Sequence, residues 1–135
     1  MIKEQLVSGQ IWEHDFAFTQ EQVNDFAQST RDTNPVHLDP EFAAKTAFKS
    51  PVVHGILGAS VFSKVFGTIR PGPGTLYLNQ SIEFLLPIRV EVPYKAVFTV
   101  LEEVAKKRFR IRTQLINKSD SSMVIDGEAI IRVSA

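Results

Sequence analysis

The chain has no cysteine among its 135 residues. Disulfide staples, a thiol nucleophile and thiolate-bound zinc are therefore excluded. It has no surplus of charge either, since 15 basic residues balance 15 acidic ones. A nucleic-acid surface would show a basic stripe, so nucleic acid is not an expected partner. No apolar run approaches the roughly 18 residues of a membrane helix, and Met1 to Gln5 carry no apolar signal core. A cytoplasmic protein with no membrane association is the expectation. Internal repeats and low-complexity linkers are absent.

What is there suits one domain over residues 1–135, because 44% hydrophobic residues suffice for a core. The strongest basic cluster, Lys106-Lys107-Arg108, continues as Arg110 and Arg112 at strand spacing. It reads first as a solvated face, with an anion contact as the lesser alternative. No set of residues has metal-ligand spacing, so no metal is expected.

The periodicities predict an α+β fold. Trp12, His14, Phe16 and Phe18 alternate with smaller or polar residues, a strand period. Thr19 and Gln22 form a capping-box pattern opening a helix that ends near Thr30. A loop follows, stiffened by Pro35. Asp39-Pro40 is a second helix start, a capping carboxylate followed by proline, and that helix is expected to run from Glu41 to about Phe48. From Gly55 to Gly67 the residues are apolar nearly all round, which predicts a buried helix. After Pro71-Gly72-Pro73-Gly74 the chain is strand-like. Leu76, Leu78, Ile82, Phe84 and Leu86 are expected on one face. Phe109, Ile111, Thr113 and Leu115 alternate strictly with Arg108, Arg110, Arg112 and Gln114. One charged face indicates an antiparallel sheet solvated on one side. A curved sheet wrapped around the long helix buries both. Its open edge is covered if two copies pair, so a homodimer is expected.

The chemistry concentrates in Asp32-Thr33-Asn34-Pro35-Val36-His37. A carboxylate and an imidazole in one short rigid segment can grip a water between them. Adding water to an α,β-unsaturated thioester needs such groups to take and deliver protons. It also needs backbone donors for the thioester oxygen as that oxygen gathers charge. Gly55, after His54 at a helix start, fits the last task, because a helix N-terminus has free N–H groups and glycine permits close approach. Taken singly, an aspartate in a turn reads as a local cap and a histidine near a helix start as structural. The combination is more specific. His14 reads as a strand residue, Glu83 as a surface charge, and His54 as helping to set the helix start.

The run from Asp32 to Pro40 resembles the signature of the MaoC-like, (R)-specific enoyl-CoA hydratase family. The similarity continues through Val53-His54-Gly55-Ile56-Leu57, Leu76 to Phe84 and Gly127-Glu128-Ala129. The resemblance implies a hot-dog fold, a long central helix wrapped by an antiparallel sheet, and commonly a dimer. It implies that Asp32 and His37 activate water, that Asn34 braces the loop, and that the Gly55 N–H binds the thioester oxygen. It places Ser63 near the substrate, although a hydroxyl bonded back to Ala59 is an equally ordinary role for a helical serine. Phe66, on the same helix face as Gly55, Ala59 and Phe62, is expected to close the acyl tunnel. Enoyl-CoA is the implied substrate, and no cofactor is expected beyond the coenzyme A it carries. The alternatives are a 3-hydroxyacyl-carrier-protein dehydratase and a non-catalytic acyl-thioester-binding protein. Two positions depart from the family pattern. Arg31 stands where a glycine usually precedes the aspartate, and Ile88-Arg89 follows Leu86-Pro87 where relatives often have Gly-Asp.

Overall fold

The computed structural model describes residues 5–134. Strand β1 (Ile11–Phe16) leads into helix α1 (Gln20–Thr30). The one-turn helices α2 (Pro35–Leu38) and α3 (Pro40–Ala44) follow, then the short strand β2 (Val52–Val53). The long helix α4 (Gly55–Thr68) precedes β3 (Leu76–Phe84), β4 (Ile88–Arg89), β5 (Tyr94–Ala105), β6 (Arg108–Asn117) and β7 (Met123–Arg132). Five strands form one antiparallel sheet in the order β1-β5-β6-β7-β3, and β2 pairs with β4 apart from it.

Local chemistry sets the helix starts. Thr19 accepts from the Gln22 amide while the Gln22 side chain accepts from the Thr19 amide, a complete capping box. Asp39 accepts from the amides of Glu41 and Phe42, and Pro40 takes the first helical position. That helix ends at Ala44, earlier than expected, and the chain turns through Lys45 to Ser50. The Arg89 guanidinium holds this turn by donating to the Phe48 and Ser50 carbonyls.

The core lies between α4 and the inner face of the sheet. Gly58, Ala59, Val61, Phe62, Val65 and Phe66 of α4 are buried against Phe98, Ile111, Leu115, Ile125 and Ile131. Phe109, Ile111, Thr113 and Leu115 are all buried, as their alternation predicts. The helix is not buried all round, however. Ile56, Ser60, Ser63 and Lys64 are exposed, because the sheet covers one side of α4 and leaves the other open in a single chain.

Strand β3 corrects a third expectation. A bulge between Tyr77 and Asn79 shifts its register against β7. Tyr77 pairs with buried Ile131, Gln80 with buried Ala129, and Phe84 with buried Ile125. The inner face therefore holds Tyr77, Gln80, Ile82 and Phe84, and Leu76 does not share it. The extra residue of a bulge inverts the period-2 alternation across it. Gln80 fits this inner face by donating to the buried Thr113 hydroxyl at 2.8 Å. Beside it, β7 approaches β3 so closely that a Cβ on Gly127 would lie 2.0 Å from the Ser81 carbonyl oxygen.

Candidate active site

Asp32 follows the C-terminus of α1. Its amide donates to the Thr30 hydroxyl, which in turn donates to the Phe26 carbonyl. Arg31, the residue between, is left-handed at φ 66 and exposed. A glycine is at ease in that conformation, which explains the family's preference there. Arg31 lines a surface hollow together with Asn24 and Gln28 of α1.

His37 sits on α2 rather than in an open loop. Asn34 caps this one-turn helix by accepting from the Val36 amide at 3.2 Å, and Pro35 occupies its first position. The bracing role expected of Asn34 thus has a bond behind it. The Gln20 amide of α1 holds the His37 carbonyl at 2.9 Å.

The His37 ring has a defined orientation. Its Nδ1 lies 2.7 Å from the Val52 carbonyl oxygen. A carbonyl only accepts, so Nδ1 carries the proton and Nε2 of the neutral ring keeps its lone pair. Burial pushes the His37 pKa below the ordinary imidazole value; the Val52 bond and the Asp32 charge oppose this, and His54 reinforces it.

One ligand atom each from Asp32, His37 and His54 lies within 4.8 Å of the other two. Two hydrogen bonds of ordinary length from one water oxygen span about 4.6 Å, so the carboxylate and the imidazole can share a water. The same trio has the residue types of a metal site. Within it the two imidazoles stack with centroids 3.8 Å apart. One nitrogen of each ring lies against a backbone carbonyl, which leaves the other nitrogen of each ring uncommitted.

Beside the pair, α4 begins at Gly55 without any side-chain cap. Its first amides lack partners in the helix itself. A cavity of about 490 Å³ runs past this point, lined by Asn34, His37, Gly55, Phe48, Phe84 and Leu86, among others. Imidazole, amide side chain and helix N-terminus thus meet on one largely apolar space.

The model of the MaoC like domain matches residues 7–124. The chain belongs to the MaoC-like domain family. Among curated relatives, the (R)-specific enoyl-CoA hydratase of Aeromonas caviae is 43% identical over 117 residues, covering 83% of this chain and 84% of the relative. The solved (R)-hydratase from A. caviae superposes with a TM-score of 0.90 at 36% identity, covering 97% of this chain and 99% of that one. The unliganded R-hydratase of Pseudomonas aeruginosa superposes with a TM-score of 0.88 at 38% identity, covering 95% and 82%. The curved sheet around a central helix is the hot-dog fold of these MaoC-like hydratases.

Two expected site residues of this MaoC-like chain lie elsewhere. Phe66 is 1% exposed and packs edge-on against Phe98 and Tyr77. It is a core residue and does not line the cavity beside His37. Ser63 is exposed on the open side of α4 and does not line the cavity beside His37. Sequence reasoning missed Phe48 and Phe84 as walls. Phe84 was expected on a strand face with Ile82, but its place over Gly55 is a long-range contact: a Cβ there would lie 2.6 Å from its ring. The glycine thus accommodates this ring as well as any ligand. No helix among the described residues is long and apolar enough to cross a membrane.

Proposed function

We propose that this MaoC-like protein is an (R)-specific enoyl-CoA hydratase, adding water reversibly to trans-2-enoyl-CoA to give (R)-3-hydroxyacyl-CoA. The observation that carries the reading is the approach of the Asp32 carboxylate to within 4.8 Å of the His37 ring, beside the uncapped start of α4. The (R) outcome and the coenzyme A thioester come from the named activity of the relatives.

In this reading one water sits between the Asp32 carboxylate and His37 Nε2. His37 takes one water proton while the oxygen bonds to the β-carbon. Asp32 accepts a hydrogen bond from the second water proton and favours the imidazolium as it forms. The thioester oxygen gathers the electron pair and is held by the Gly55 N–H. His37 then passes its proton to the α-carbon as the enolate collapses. Every atom of the water ends in the product and no oxidation state changes overall, so the reaction needs no redox cofactor. Activity is expected to survive exhaustive treatment with a chelator.

The active form is a homodimer. Among the described residues, edge strand β3 is unpaired on one side, and Leu76, Leu78, Phe84 and Leu86 nearby are each more than 40% exposed. An open edge with apolar flanks is stable when a second copy covers it. A role in supplying monomers for polyhydroxyalkanoate follows from the similarity to a hydratase described as involved in that biosynthesis.

The test is to mix the protein with crotonyl-CoA and follow loss of the enoyl-thioester absorbance. The product is then offered to (R)- and (S)-selective dehydrogenases. Rapid loss with an (R) product supports the reading. Inertness toward all enoyl-CoA chain lengths, with turnover of carrier-protein thioesters, would replace it with the dehydratase.

A further inference from the structure

His54 is the most buried imidazole of the chain, 2% exposed. It is the N-cap residue of α4, as expected of it at the helix start, but it caps through its backbone and not through its side chain. Its side chain instead makes two long-range contacts. Nε2 lies 2.9 Å from the Asp32 backbone carbonyl, 22 residues upstream. The carbonyl accepts, so Nε2 carries the proton. The ring face lies on the His37 ring at 3.8 Å and 28°, while Phe26 of α1 closes the pocket at 4.7 Å and 57°. Nδ1 is buried without a hydrogen-bond partner among the described residues.

An unpaired buried acceptor costs about 1–3 kcal/mol. Phenylalanine would fill the same slot, stack on His37 and leave no orphan atom. What it would lose is the donor to Asp32. Glutamine would keep a donor and lose the ring. Histidine alone among these does both jobs at once. Its backbone adds a third, because the His54 carbonyl accepts from the Gly58 amide as α4 begins, and Gly55 is the next residue.

We propose that His54 is a positioning residue, tying the backbone of Asp32 and the ring of His37 to the first turn of α4. The proposal rests on the hydratase reading, since it concerns the geometry of that reaction's groups. The Asp32 carbonyl fixes the peptide plane that follows Asp32, and with it the direction in which the carboxylate leaves the chain. The stacked face keeps the His37 ring in the plane that lets Nδ1 reach Val52. Carboxylate, imidazole and oxyanion donor thereby share one rigid reference.

The test uses His54→Phe, which keeps a ring and removes the donor, and His54→Gln, which keeps a donor and removes the ring. Turnover of crotonyl-CoA and the ring-nitrogen NMR spectrum of His37 are measured on both. Each kcat is expected to fall about 10–100-fold, the usual effect of removing a group that orients a reacting residue, with KM changed far less. His37 is expected to be a single Nδ1–H tautomer in the parent protein and a mixture of tautomers in His54→Gln. Parent-like kcat in both variants and an unchanged His37 tautomer, with only a lower melting temperature, would reduce His54 to core filling and overturn the proposal. If the parent protein itself hydrates no enoyl-CoA, the hydratase reading fails separately. The nitrogen spectrum then still decides whether His54 holds His37.

Discussion

The His37 Nδ1–H donates to the Val52 carbonyl at 2.7 Å, and this single bond decides which nitrogen of His37 is available for chemistry. It also ties α2 to β2, the strand that leads into α4.

The pH dependence follows from the burial of that ring. Burial lowers the His37 pKa from the ordinary imidazole value in the folded protein, which favours an unprotonated Nε2 at neutral pH. The acid limb of kcat/KM for hydration is expected to fall below pH 6.5, reporting the free enzyme. The stability effect has the same sign. Below pH 6.5 the unfolded chain binds the proton first, so His37 lowers stability as pH falls toward the folded pKa. A pH–rate profile with its acid limb above pH 7 would contradict the assignment of His37 as the proton acceptor.

Arg31 carries a conformational cost. At φ 66 its Cβ is crowded in a way that glycine avoids, and the side chain is exposed, so little packing is at stake. Arg31→Gly is expected to stabilise the protein by about 1 kcal/mol, read as a higher urea midpoint at unchanged slope. A lower midpoint would show that the guanidinium makes a contact worth more than the strain.

The two crowded glycines are expected to respond differently. In Gly127→Ala the new methyl meets backbone of the adjacent strand, which cannot swing aside. A loss of about 1–3 kcal/mol or more is expected, the range for overpacking. In Gly55→Ala the methyl meets the half-exposed Phe84 ring, which can turn away. That variant is expected to fold with near-parent stability. Its turnover is expected to drop about 10²–10³-fold, the cost of a lost oxyanion donor, because methyl and displaced ring obstruct the Gly55 N–H. Parent-like turnover would remove that amide from the mechanism.

Phe66 and Phe84 separate core from cavity. Phe66→Ala is expected to cost about 3–5 kcal/mol, as buried aromatic truncations do, without a selective gain on long substrates. Phe84→Ala is expected to be far milder in stability and to raise turnover of long enoyl-CoA relative to crotonyl-CoA. Melting curves and a chain-length series check both. The reverse pattern would return the tunnel to Phe66.

What the sequence made legible was mostly local. The Thr19–Gln22 box, the Asp39 cap and the alternation of Phe109 to Leu115 depend on neighbours a few residues apart, and each is in place. Asn34-Pro35 carries the same cap-then-proline pattern as Asp39-Pro40, so the α2 turn was readable and went unread. The bulge at Tyr77–Asn79 was not, because an extra residue leaves no mark in an apolar run. The His54 contacts to Asp32 and His37, the Arg89 clamp on Ser50 and the Phe84 ring over Gly55 join segments distant in sequence. The exposed stripe of α4 is mostly polar, with Ser60, Ser63 and Lys64 beside Ile56, and three scattered polar residues are easily overlooked in a helix whose other residues are apolar or small.

The most direct measurement is crotonyl-CoA hydration by the parent protein beside Asp32→Asn and His37→Gln, each checked for folding, with product chirality determined. The account predicts rapid formation of (R)-3-hydroxybutyryl-CoA by the parent and a loss of about 10²–10⁴-fold in each variant, the usual worth of a positioned acid–base group. A parent enzyme whose turnover survives both substitutions would contradict it.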